Sequence, residues 1–174
     1  MKQRLKQALF LLVLLAPGCS AIHDVSYDYD QEVDLTQLKS YDWLPVREGV
    51  EEDDYIVGRV KRAVKAEMEQ KGIRAASDAP DFLIARYLLR YEEVGYKDWG
   101  ESYGKLDSLF SPRHVPSYTW EEGTLVLVFV DADSRQLIWR GQARGLDYTR
   151  SDPKKDDKLV NEAVHKILQN FPPR

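Results

Sequence analysis

Thr124-Leu125-Val126-Leu127-Val128-Phe129-Val130, with Leu137-Ile138-Trp139-Arg140-Gly141-Gln142-Ala143 shortly after it, is the stretch that decides the fold. The first run is apolar at odd and even positions alike, as in a central strand covered on both sides. Asp131-Ala132-Asp133-Ser134-Arg135-Gln136 between the runs is rich in turn formers, so the pair reads as a β-hairpin. Leu125, Leu127, Phe129 and Trp139 are its expected core residues. Upstream, Phe82 to Tyr91 reads as a long strand. Its apolar face would be Leu83, Ala85, Tyr87, Leu89 and Tyr91, and its mixed face carries Arg86 and Arg90. Further back, Val25-Ser26-Tyr27-Asp28-Tyr29-Asp30 alternates strictly, which suits a strand with one buried face. Leu38 to Leu44 repeats the pattern weakly, with Tyr41 and Trp43 on one side.

Two helices complete the pattern. Ile56, Val57, Val60, Ala63, Val64 and Met68 recur at helical spacing behind the acidic run Glu51-Glu52-Asp53-Asp54, and Gly72 is placed to end the helix. The acidic run complements the helix dipole, a simpler account than a cation site. Asp152-Pro153 is an N-cap and first-turn pair for a second helix with Leu159, Val160, Ala163, Val164, Ile167 and Leu168 on one stripe. The order strand, strand, helix, strand, loop, strand, strand, helix predicts an α+β fold. The economical form is a two-layer sandwich, a largely antiparallel sheet with two amphipathic helices on one face. Residues 25–174 would form one domain.

Gly95 to Tyr118 has no periodicity, and loops of that length are uncommon in compact domains unless they have a function or are disordered. Tyr96, Trp99, Tyr103, Phe110 and Tyr118 are spread along it and make residues 95–118 the candidate binding loop, since aromatics with polar tips dominate contact surfaces. Failing that, the sheet face around Val126, Val128 and Arg140 is the fallback binding surface.

The N-terminus carries an address. Lys2, Arg4 and Lys6 precede an apolar run from Ala8 to Ala16, then Pro17-Gly18-Cys19-Ser20. A basic head, a short apolar middle and a small residue at the cut make residues 1–18 a cleavable signal peptide. The run is far short of the ~20 residues that cross a bilayer. Cys19 is the single cysteine of the chain. A lone thiol in an oxidising compartment is a hazard unless it is acylated, so Cys19 is the expected lipidation site, with residues 19–24 a short lipid tether. Serine after the cysteine, where aspartate would favour inner-membrane retention in enteric-type bacteria, points to the periplasmic side of the outer membrane.

The ordered set Val25 to Asp30, Tyr41-Asp42-Trp43-Leu44-Pro45, Pro80-Asp81-Phe82-Leu83-Ile84, Glu122-Gly123-Thr124-Leu125, Val130-Asp131-Ala132, Leu137 to Gly141, Asn161-Glu162-Ala163-Val164 and Phe171-Pro172-Pro173 resembles the bacterial lipoproteins that carry domain of unknown function 4136. The resemblance spans nearly all of the mature chain. It implies the envelope location and the fold, and it implies no activity.

Chemistry is sparse. The chain has 174 residues and a formal net charge of -4, and it becomes more acidic once Lys2, Arg4 and Lys6 are cleaved away. That balance argues against nucleic acid, and it leaves membrane affinity to lipid chains rather than to the folded surface. His23, His114 and His165 have no ligand set around them, and Glu162 beside His165 reads as a solvated helix face, so no metal is expected. Asp131 and Asp133 form a turn and lack the pattern of a calcium loop. No nucleophile elbow, P-loop or dinucleotide fingerprint appears, so neither an enzyme nor a cofactor is expected. The expected function is a non-catalytic envelope lipoprotein, membrane-anchored at Cys19 and acting through a protein partner. The alternative is a cell-wall glycan binder that uses the aromatic loop on peptidoglycan, and a hydrolase ranks third.

Overall fold

The hairpin is the middle of the sheet. In the computed structural model, which describes residues 20–45, 53–89 and 123–173, β5 (Thr124–Asp131) and β6 (Leu137–Arg144) pair antiparallel from Leu125 opposite Ala143 to Phe129 opposite Trp139. Asp131 closes the turn, because its carboxylate accepts from the Ser134 N–H and Oγ, both at 2.7 Å. The other strands are β1 (His23–Tyr29), β2 (Ser40–Trp43), β3 (Arg74–Ala75) and β4 (Phe82–Leu89). The six-stranded order is β1-β6-β5-β4-β2-β3.

Along β1-β6-β5-β4 each neighbouring pair is antiparallel, whereas β2 runs parallel to both β4 and β3. Strands with a helix between them can pair in parallel, and α1 (Asp54–Gln70) supplies that crossover between β2 and β4. Asp81 pins the start of this join. It accepts from the backbone N–H of Lys39 at 2.7 Å and of Ser40 at 2.8 Å, and from Ser40 Oγ at 2.9 Å.

α1 and α2 (Pro153–Leu168) cover one face. Asp53 and Asp152 are their N-caps, and each accepts from N–H groups of its own first turn. Gly72 lies in the left-handed region and ends α1, with the Ile73 N–H returning to the Met68 carbonyl. The helices are parallel to each other. Tyr55 meets Asp156 at one end and Glu67 meets His165 at the other. Between the layers Phe129 packs on Trp139 at 4.6 Å between ring centroids, and Phe171, just past α2, meets both rings edge-on at 4.7 Å and 5.3 Å. The Trp139 indole folds across Gly141, where a Cβ would stand 2.3 Å from the ring and 2.7 Å from Ile167 of α2.

In β4 Leu83, Ala85 and Tyr87 share a face, as their spacing predicts, and cluster with Val126, Val128 and Val130 on the far side of the sheet, while Phe82 and Ile84 on the mixed face turn to the helices. Two expectations are corrected. That far face is not exposed: Val126, Val128 and Arg140 are all buried, so it offers no free binding surface. β1 is an edge strand whose alternation buries little, with Val25 and Tyr29 half-buried and Tyr27 exposed.

Candidate functional site

Cys19 and the loop residues Tyr96, Trp99, Tyr103, Phe110 and Tyr118 lie outside the described residues. The described part of the chain brings two polar clusters together on the helix layer.

One sits where the N-termini of α1 and α2 meet the segment Leu146 to Arg150. Two parallel helices bring like dipole ends side by side, which favours carboxylates between them. Asp156 fills that place while buried, accepting from Tyr55 Oη at 2.7 Å and from the backbone N–H groups of Thr149 at 3.2 Å and Arg150 at 3.0 Å. Burial pushes its carboxyl up, but the Tyr55 hydroxyl, the two N–H groups and the Arg59 charge outweigh that and hold it below the usual range. Asp53 is similar: burial raises it, and the Tyr148 hydroxyl at 2.8 Å with the Arg150 guanidinium lowers it further. Arg59 lies over the Tyr55 ring at 3.8 Å and pairs with Asp157 at 2.8 Å. Asp53, Asp156 and Asp157 are each engaged in holding the helices and the segment together.

The other cluster is the seat of the N-terminal segment. Ile22 is buried in the helix-side core. Ser20 Oγ lies against Glu162 Oε1 and Lys166 Nζ, and Lys166 Nζ also donates to the Ile22 carbonyl at 2.7 Å. The Ser20 hydroxyl, with Lys166, keeps the Glu162 carboxyl low. Gly145 permits the close approach, since a Cβ there would meet the Ala21 carbonyl oxygen at 2.2 Å. Residues 20–24 therefore leave no free spacer: Ile22 is a plug and His23 already begins β1. Sequence reading missed this seat, whose one signal is the short apolar pair Ala21-Ile22 between Ser20 and His23.

His165 Nδ1 contacts Glu67 Oε1 at 3.0 Å on the helix surface. Among the described residues no group of His, Cys, Asp and Glu could hold a metal ion, and no helix is long and apolar enough to cross a membrane.

A two-layer α+β domain with an open six-stranded sheet and both helices on one face is thus the class of protein at hand. Residues 25–173 match the family model described as Domain of unknown function (DUF4136), and the chain belongs to that family. A DUF4136 family protein from Bacteroides thetaiotaomicron shares the fold with a TM-score of 0.58 at 15% identity, over 86% of this chain and 95% of that one. A PDZ domain protein from Parabacteroides distasonis matches with a TM-score of 0.56 at 13% identity, over 88% of this chain and 36% of that one, so the fold occurs there as one part of a longer protein. No curated protein matches the sequence significantly.

Proposed function

We propose that the protein is a non-catalytic envelope lipoprotein, acylated at Cys19 and working through contacts with another envelope protein. The observation that carries this reading is that Ser20, next to Cys19 of the leader-like sequence, is already seated on α2. A lipid on Cys19 would hold the domain directly at a bilayer, with the outer membrane's periplasmic leaflet the proposed address. The non-catalytic part is supported by what these carboxylates do: Asp53, Asp81, Asp131 and the buried Asp156 are each held low by hydrogen bonds that build the fold. A general acid needs the opposite shift.

Mass spectrometry of the mature N-terminus should find a diacylglyceryl group on Cys19, and Cys19→Ala should release the protein from membranes. A soluble, unmodified protein that begins elsewhere overturns the reading. Crosslinked envelopes should yield a protein partner, whereas co-sedimentation with purified sacculi would favour the glycan-binding alternative.

A further inference from the structure

We propose that the flank formed by α2 and β1 lies against anionic phospholipid headgroups of the leaflet that holds the acyl chains. This rests on the lipid-anchor reading of Cys19 and adds an orientation to it. The chain enters the domain at Ser20, pinned by Glu162 and Lys166, so the anchor departs within one residue, about 3.8 Å, of the α2 surface.

The exposed, unpaired charge of α2 runs against the rest of the chain. The protein is acidic, with a formal net charge of -4. Yet Lys154, Lys155 and Lys158 are exposed on α2, and none has a carboxylate at ion-pair distance among the described residues. The acids of the flank are paired, Glu162 with Lys166 at 3.4 Å and Asp157 with Arg59 at 2.8 Å on α2, Asp24 with Arg144 at 3.4 Å and Asp28 with Arg140 at 3.5 Å on β1. At a rise of 1.5 Å per residue Lys158 stands about 12 Å along the helix from Lys166. The anchor and the lysines can therefore meet one patch of leaflet.

Tyr27 adds an independent signal. At 45% exposure it is the exposed large hydrophobic side chain among the described residues. It pairs with Gly141, whose missing Cβ points at Ile167 of α2, so Tyr27 stands on the helix side of the β1 edge. Its ring stacks on Tyr29 at 6.4 Å. A tyrosine with an apolar body and a polar tip suits headgroup depth. The acyl chains hold the protein to the membrane, and the lysines and Tyr27 decide which side faces it. Each lysine close to an anionic leaflet strengthens association about fivefold.

The test uses the lipidated mature protein in vesicles of equal phosphatidylcholine and phosphatidylglycerol, with a fluorophore on Gln169→Cys beside the flank or on Ser77→Cys. Ser77 follows β3, the far edge of the sheet, about 24 Å from β1. A quencher attached to lipid headgroups should dim the Gln169 label several-fold more than the Ser77 label. That difference should collapse in pure phosphatidylcholine and in the Lys155→Glu/Lys158→Glu variant. Equal quenching at both sites, or a difference that survives the lysine variant, as a protein partner or a second copy on this flank would give, overturns the proposal. The N-terminal mass of the same sample separates the two readings. Acylated protein with equal quenching overturns the orientation alone, and unacylated protein overturns both.

Discussion

Trp139 shows how far a single residue can be read. Its place in an apolar hairpin puts it in the core, and it is fully buried there among Phe129 and Phe171. Trp139→Ala should cost about 3–5 kcal/mol, read as a lower urea midpoint. The neighbour two positions on is a different matter. Gly141 is indispensable because the indole lies across it, and nothing in the local pattern announces that a ring will fold back over its own strand. Gly141→Ala should lose about 1–3 kcal/mol through overpacking. In a Trp139→Phe background the atoms nearest the new methyl are gone, so the same change should cost clearly less, with Ile167 the remaining obstacle. Equal costs in the two backgrounds would mean that the ring does not dictate the glycine. The indole Nε1 has no hydrogen-bond partner among the described residues, so Phe at this position removes that buried donor as well as apolar area.

Among the elements, both helices were legible because their buried residues recur at helical spacing: Ile56, Val60, Val64 and Met68 in α1, and Val160, Val164 and Ile167 in α2. Strand direction was not, since alternation is the same in parallel and antiparallel strands, and the β2–β4 join went unforeseen. Asp156 was hidden for a related reason. In sequence it is an ordinary first-turn acid, and its partner Tyr55 is 101 residues away. Asp156→Ala leaves three donors without an acceptor in a buried place and should cost about 3 kcal/mol. The pH dependence follows from the same bonds. The folded carboxyls of Asp53 and Asp156 sit below the ordinary aspartate value of about 3.9, so the unfolded chain takes up protons first as pH falls. Their contribution is fully present above that value and is lost as pH drops through the lower, folded values. Urea midpoints should therefore fall below about pH 4. In Asp156→Asn the fall should be shallower, and an unchanged slope would place the acid sensitivity elsewhere.

For the whole molecule, the order of strands, helices and short motifs gave both the two-layer architecture and the family, because those depend on periodicity repeated over many residues. The attachment of the N-terminal segment depends on Ser20, Ala21 and Ile22 alone, too short a run to carry a period, and the sequence there predicts only a tether. Instead it joins the chain next to Cys19 to the core, so a pull on that end would reach β1 and α2 without slack. The two parts of the seat should contribute unequally. Ile22 is buried in the core, and Ile22→Ala should cost about 2–4 kcal/mol as the cavity it leaves stays partly open. Ser20, Glu162 and Lys166 are partly exposed, and such a surface network contributes about 0–1 kcal/mol. Ser20→Ala should therefore leave the thermal midpoint nearly unchanged, while hydrogen exchange at the first residues of β1 rises. If Ile22→Ala melts like the parent protein, the segment is not part of the core, and the rigid seating of residues 20–22 is lost with it.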